Sequence, residues 1–364
     1  MRFPAYSNWK QYSTTIAAPA ATTTTNNAVQ FTLARKQLRL EAVLVEITGT
    51  TATHTTPTSD ALANLAKRIR LRVNDSLSSR NAVDVSGPGT LSYCRQNDWR
   101  VGRDMQEAIS RLTTQVGAFK AHWWVPIRPP GIQEPAGNYF SIPLDRLNED
   151  PVIEVDLGSV ADIGATLTLT GTLTCNLHFK YRNTPTDFLY IPTQLRTDQK
   201  TWDDANSTQT WDIPADGFLT QLLMQHYQSA TARGAVLNSA TDQWILKQGL
   251  YDRQAWTDSS LQSLNDQSQM TYPEGAFCVR SSAADPAEAN LPNFSNEGFL
   301  DFLSDTPGTD AFSVNSIIDL RDLSNRASIV GDKIGTAGTP QTQFTYHKIL
   351  PRRVEDLGAL TQLL

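Results

Sequence analysis

Residues 166–181 read TLTLTGTLTCNLHFKY. Leu167, Leu169, Gly171, Leu173, Cys175, Leu177, Phe179 and Tyr181 share one parity, and Thr166, Thr168, Thr170, Thr172, Thr174, Asn176, His178 and Lys180 share the other. Side chains along a strand point alternately to opposite faces, so a period of two places one row in a core and the other in solvent or at an interface. At about 3.3 Å per residue the strand spans roughly 50 Å, unless Gly171 bends or bulges it. A strand of that length crosses a whole sandwich or barrel, and the stretch predicts an all-β chain.

Strand patterns dominate on the N-terminal side of it. Val29–Leu33 alternates, and Leu38–Ile47 is apolar on both parities, as in a central strand buried on each face. Ile69, Leu71 and Val73 alternate with Arg68, Arg70 and Arg72. Gly117–Ile127 holds two adjacent tryptophans, and Pro126, Pro129 and Pro130 end it. Ile153, Val155 and Leu157 alternate with Glu154 and Asp156. Helical pattern is scarce. Met105, Ile109, Leu112 and Val116 lie on one helical face, and a second helix is expected over Trp256–Leu264. Gly217–Tyr227 fits strand or helix alike.

A chain of 364 residues exceeds the needs of one sandwich and suits two domains. Asn183-Thr184-Pro185-Thr186 follows the long strand and precedes a fresh apolar run, Phe188–Ile191, so the boundary is placed after residue 184. The expected division is an N-terminal arm over 1–28, a first domain over 29–184 and a second over 185–364. Ala17–Ala28 is Ala, Thr and Asn with one Pro, too little apolar surface to offset the entropy of ordering it. Phe3, Tyr6, Trp9 and Tyr12 recur every three residues and anchor the arm either on a neighbouring subunit or on its own domain.

Hydrophobic residues make up 40% of the chain and charged residues 19%, with 31 Lys and Arg against 37 Asp and Glu. A net charge of −6 argues against nucleic acid as the main ligand, since phosphate binding needs a surplus of cations on one face. Cys94, Cys175 and Cys278 are odd in number and far apart, which fits neither a disulfide framework nor a zinc site and points to a reducing compartment. Met1-Arg2-Phe3-Pro4 lacks the apolar core of a signal peptide, and no apolar run reaches the roughly 18 residues of a membrane span. The glycosylation patterns at Asn206 and Asn293 are therefore read as chance.

No catalytic, cofactor-binding or metal-binding residues are assigned. His54, His122, His178, His226 and His347 show no short metal-ligand spacing and are read as structural or surface histidines. Nucleophile-elbow, P-loop and dinucleotide-binding patterns are lacking. Glu149-Asp150 and Asp203-Asp204 read as solvated turn carboxylates. Trp123 and Trp124 point to opposite faces of one strand, one into a core and the other to a rim. The arginine row at 68, 70 and 72 reads as a solvated face or as a salt-bridging contact between subunits.

The order of these elements resembles the major capsid proteins of tailless, membrane-containing icosahedral bacteriophages, the tectivirus-like double jelly-roll lineage. In outline the likeness covers nearly the whole chain. Trp123-Trp124-Val125-Pro126 is similar to the tryptophan-valine-proline strand of that family's first barrel, Ser141-Ile142-Pro143 and Val152–Leu157 fit later strands, and Thr166–Tyr181 fits the closing strand. Thr271–Cys278 resembles the point in the second barrel where a helix leads into a strand; Gly298–Leu303, Phe312–Leu320 and Phe344–Leu350 supply further strands. The arm is short for the family and lacks its Gln-rich character, and the segments 228–270 and 281–297 are not placed.

The resemblance implies two jelly-roll β-barrels or sandwiches side by side, with short helical insertions. It implies a non-enzymatic major capsid protein, a homotrimer forming a pseudo-hexagonal capsomer of an icosahedral virion shell assembled in host cytoplasm. Its partners are then further copies, neighbouring capsomers, penton and minor capsid proteins and, as the resemblance allows, an internal viral membrane, with no cofactor and no specific nucleic acid. Two other readings stay open: a carbohydrate-binding or carbohydrate-active β-sandwich using Trp123 or Trp124, and another virion component such as a spike or penton protein.

Overall fold

A computed structural model of the chain describes residues 7–17, 28–35, 38–53, 63–75, 78–97, 117–129, 139–159, 162, 168–182, 189–202, 208–227, 243–249, 251–256, 297–302, 317–321, 326–332 and 341–351. The strands of the N-terminal half are β1 (Ser7–Ala17), β2 (Ala28–Thr32), β3 (Arg39–Thr53), β4 (Ala66–Asn74), β5 (Ser79–Ser86), β6 (Gly117–Pro126), β7 (Ile142–Pro143), β8 (Val152–Leu157) and β9 (Thr168–Arg182). Those of the C-terminal half are β10 (Thr193–Thr201), β11 (Gln209–Asp212), β12 (Phe218–Tyr227), β13 (Gln243–Gln248), β14 (Tyr251–Trp256), β15 (Glu297–Asp301), β16 (Ile318–Asp319), β17 (Ala327–Asp332) and β18 (Gln341–Ile349). One helix, α1 (Gly87–Asn97), joins β5 to the segment before β6. Among the described residues no helix is long and apolar enough to cross a membrane.

Both halves carry the same connectivity. In the first, one sheet runs β1-β9-β3-β6 and the facing strands run β2-β8-β4-β5. In the second, the orders are β10-β18-β12-β15 and β11-β17-β13-β14. Numbered within each half, and setting aside the short β7 and β16, both read first, last, third, sixth and second, seventh, fourth, fifth. That is jelly-roll connectivity, stated twice.

The rolls are joined through their sheets. β5 pairs with β10 in parallel, Leu195 opposite Val83 and Arg196 opposite Asp84. One nine-stranded sheet, β15-β12-β18-β10-β5-β4-β8-β2 with β16 on β12, therefore runs through both halves. Residues directly opposite across a ladder share a face. Leu195, Val83, Val85, Ile69 and Leu71 all enter the first core, whereas Phe344, Tyr346, Leu222 and Met224 enter the second. Tyr346 stands opposite Arg196, which shares the Asp84 face and not the Val83 face. The two cores thus lie on opposite sides of a common sheet.

The long alternating strand is β9, central between β1 and β3. Leu173, Cys175, Leu177 and Phe179 have no exposed surface, while Thr174, His178 and Lys180 on the other parity are half-buried. Gly171 has φ +71°, and the β3 register jumps beside it, from Thr48 opposite Thr174 to Thr50 opposite Thr170. The expected irregularity is a bulge, and a side chain at Gly171 is opposed by its left-handed backbone and not by space.

Two expectations are answered by particular elements. Residues 7–17, inside the segment read as an arm, form β1 and pair with β9 from Ser7 opposite Arg182 to Ala17 opposite Thr172. The Thr, Tyr and Ile content of this segment suits a strand. Gly217–Tyr227 resolves to strand β12, all ten residues of which are buried. A strand covered on both faces has no alternation to read. The helices expected over 105–116 and beyond Trp256, the Thr271–Cys278 run, Thr166 and Leu167 lie outside the described residues; Trp256 itself ends strand β14.

Candidate functional site

A buried set of polar contacts lies at the seam where the first roll meets the second. It begins at α1, whose sequence Gly-Pro-Gly-Thr reads locally as turn punctuation. Ser86 caps it: its Oγ accepts from the Gly89 N–H at 3.0 Å, and the Thr90 hydroxyl returns to the Ser86 carbonyl at 2.8 Å. Pro88 lacks only an N–H that the first turn would leave without a helical partner. A Cβ on Gly89 would collide with the hydroxyls of Thr345, Ser86 and Thr197, so glycine permits the helix start to touch β10 and β18.

From α1, polar side chains reach the outward face of the second roll. The Tyr93 hydroxyl donates to Gln221 Oε1 and lies 3.1 Å from His347 Nδ1. With the phenolic hydrogen committed to Gln221, His347 Nδ1–H is the donor in the second contact. Gln221 Nε2 donates to Asn97 Oδ1 at 2.8 Å, and Gln225 Nε2 to Ser92 Oγ at 2.8 Å. Thr197 and Thr345 bond through their hydroxyls at 2.9 Å. Tyr93 meets Phe299 edge-on at 6.4 Å between centroids. Burial pushes the His347 imidazole down to about 3, and it does the same to His226, whose Nδ1 lies 2.8 Å from Thr342 Oγ1. Both rings are therefore neutral near pH 7.

A bulge makes this face possible. The β12–β18 register shifts between Leu219 and Gln221, and Thr220 Oγ1 donates to the His347 carbonyl at 2.9 Å. Leu219, Leu222 and Met224 consequently enter the second core together, and Leu223 enters the first.

Two members of the arginine row, Arg68 and Arg70, are paired within their own sheet, and Arg72 is exposed. Arg68 Nε meets Asp84 Oδ1 at 2.5 Å, and Arg70 pairs with Asp156 and, at 3.2 Å, with Glu154. Arg196 Nε bonds Asp198 at 2.7 Å, and Asp198 accepts from Tyr346 at 2.7 Å. Glu154, Arg70, Asp84 and Arg196 stand at one register across β8, β4, β5 and β10, a row of alternating charge that crosses from one roll to the other. Burial lowers the Arg70 and Arg196 pKa, but the surrounding acids outweigh it and hold both above the ordinary value.

Trp123 is fully buried in the first core, while Trp124 is half-exposed on the opposite face. The two rings stand on opposite faces, as their adjacency in a strand requires, and form no joint platform. His122 and His178 are half-buried on the outward face of the first sheet, near Glu46 in the case of His178, at 3.9 Å. Cys94 and Cys175 are buried free thiols; burial and the nearby Glu46 push Cys175 up to about 12. Glu149 and Asp150 are exposed, and Asp150 meets Arg35 at 3.1 Å. His54, Cys278, Asp203, Asp204, Asn206 and Asn293 lie outside the described residues. Among the described residues no three His, Cys, Asp or Glu cluster to hold a metal.

Sequence reasoning missed α1 and β10. β10 reads TQLRTDQKT, too polar to announce a strand that is central in its sheet. Its one signal was local: Leu195 lies between polar residues with Thr on both flanks.

Neither a protein-family model nor a curated protein sequence matches the chain. Solved structures do. The STIV MCP aligns with TM-score 0.61 and 11% identity over 97% of this chain and 99% of that one. The chain has the same fold. The PBCV-1 virus capsid aligns with TM-score 0.58 and 11% identity, covering 96% and 97% of the two chains. The Faustovirus major capsid protein aligns with TM-score 0.53 and 10% identity, covering 96% and 91%. Two jelly rolls in one chain are thus common to this protein and to capsid proteins that share only 10–11% of its sequence.

Proposed function

We infer that this chain is a major capsid protein, a structural subunit that acts through its interfaces and not through catalysis. The observation that carries the reading is the repeated jelly roll built across one continuous sheet, matched over nearly its whole length by viral capsid proteins. Two rolls per chain let three copies close a six-roll ring by simple three-fold symmetry. The buried hydrogen-bonded seam supports this use: it holds the two rolls at one defined angle, which a tile must keep.

In this reading the chain divides near residue 184 into two one-roll domains, and its first partner is itself. A homotrimeric, pseudo-hexagonal capsomer packs with others into an icosahedral virion shell, assembled in the host cytoplasm. Penton and minor capsid proteins and an internal membrane are its further partners. The test is the mass and morphology of the purified full chain. Light scattering should give three times the 40.2 kDa chain mass, with hexagonal outlines in negative-stain micrographs. A protein that stays a single chain at every concentration and ionic strength would overturn the reading.

A further inference from the structure

Glu46 interrupts the apolar run over 42–47 in β3. It is buried on the outward parity, while Val45 and Ile47 beside it enter the first core. A buried carboxylate persists only where charge and hydrogen bonds answer it. β3 runs between β6 and β9, and Glu46 stands opposite His122 on the one and Asn176 on the other. Its partners come from both flanking strands. Asn176 Nδ2 donates to Glu46 Oε1 at 2.8 Å, and Lys120 Nζ meets Oε2 at 2.6 Å. One carboxylate thus holds an amine and a carboxamide from two strands that are not themselves paired.

The cluster differs from a surface ion pair. The Glu46 side chain is 10% exposed and Asn176 is buried, whereas the Lys120 side chain is 58% exposed. The carboxylate and the carboxamide are therefore shielded, and the amine end opens to water. Leu44 and Trp124, opposite one another and half-buried, stand next along the same face. Burial pushes the Glu46 carboxyl up, but the hydrogen bonds from Lys120 and Asn176 and the charges of Lys120 and His178 outweigh it and hold the group below the ordinary value. Glu46 is therefore a carboxylate near pH 7, able to take a proton from the amine beside it.

We propose that Lys120 and Asn176 join in an isopeptide bond within the chain, with Glu46 as the catalytic residue that carries the protons. The carboxylate takes a proton from the Lys120 ammonium, and the freed lone pair of Nζ attacks Asn176 Cγ. The Nζ–Cγ bond forms and the Cγ–Nδ2 bond breaks, its electron pair leaving on nitrogen. Nδ2 takes up the two protons that Nζ gives off, relayed by Glu46 from one oxygen to the other, and departs as ammonium. Nothing is oxidised or reduced, and no further reactant enters. Fixing the three groups together makes the encounter internal, which for well-aligned groups is worth an effective concentration of about 10⁵–10⁸ M. The product ties β6, at the end of its sheet, to the central β9 across β3. The inference rests on this cluster alone and stands or falls apart from the capsid reading.

The test is the mass of the full-length chain, folded, purified and then denatured for electrospray. The wild type should be lighter than its sequence by one ammonia. Trypsin should no longer cut after Lys120, and the peptide that spans it should be branched, joined to the peptide holding Asn176. Tandem spectra of that branch separate the bond from a succinimide at Asn176, which loses the same ammonia but joins no second peptide. Glu46→Gln and Lys120→Arg should each restore the full mass and the linear peptides. If Glu46→Gln fails to fold, Lys120→Arg, an exposed change that keeps the positive charge, carries the comparison. A folded wild type that keeps its full mass on prolonged incubation, or loses ammonia without a branched peptide, overturns the bond. A branched peptide that persists in Glu46→Gln overturns the part given to the carboxylate.

Discussion

β9 and β18 close the first and second rolls from equivalent positions, yet their sequences look unrelated. β9 alternates in sequence: Leu173, Cys175, Leu177 and Phe179 point inward, with Thr174, His178 and Lys180 half-buried and Asn176 buried on the other face. β18 reads QTQFTYHKI, and its last six residues are all buried. Phe344 and Tyr346 fill the second core, Phe344 stacked on Trp211 with centroids 4.0 Å apart. Thr345 and His347 are equally buried, in the polar seam against Thr197 and Tyr93. The two strands obey one topology and differ in what lies over the outer face. Solvent over that face leaves a visible period of two; a neighbouring roll erases it.

The comparison is tested first at the inner faces, which should be interchangeable in energy. Phe179→Ala and Phe344→Ala each empty a fully buried ring position and should each cost about 3–5 kcal/mol in denaturant unfolding. A loss below about 1 kcal/mol for either one would break the equivalence of the two cores.

Acid should act on the second roll from both faces, through His347 on the outer face and through His226 on the parity of Leu222 and Met224. His347 and His226 sit near 3 when folded and near 6.5 when unfolded. Between those values the unfolded chain binds protons that the folded chain does not, so stability falls as pH falls from about 6.5 toward 3 and is unaffected above that window. Each ring then contributes a slope of up to about 1.4 kcal/mol per pH unit. Unfolding free energies measured from pH 7 to 4 should show it, and His347→Gln should make the slope shallower by about one proton. An unchanged slope in that variant would show that the seam admits a charged imidazole.

The smallest effect concerns the bulge that β9 has and β18 lacks. Gly171→Ala places a Cβ on a left-handed residue with open space around it and should cost about 1 kcal/mol, read as a small fall in melting temperature. A neutral substitution would mean that the strand can relax its φ without losing the pairing to β3.

Elements exposed on one side could be read directly. β9, β4 and β8 showed their alternation, and Trp123 with Trp124 showed that one ring would be internal. The charge row began as three arginines in β4, but its acids belong to β5 and β8 and its continuation to β10, positions far apart in sequence. The seam was invisible for the same reason: Tyr93, Gln221 and His347 are ordinary polar residues until three distant segments meet.

By itself, the sequence determined the strand content and the inward rows of the first roll, because a one-sided strand writes its environment into a local period; the outline of a double jelly roll came from the likeness of its element order to a known family. Only the tertiary structure decided that β1 completes the first roll, that β10 carries the sheet across to the second, and that α1 buries the outer face of β12. Those outcomes depend on long-range pairing, where the partner strand and not the local pattern decides which face is dry.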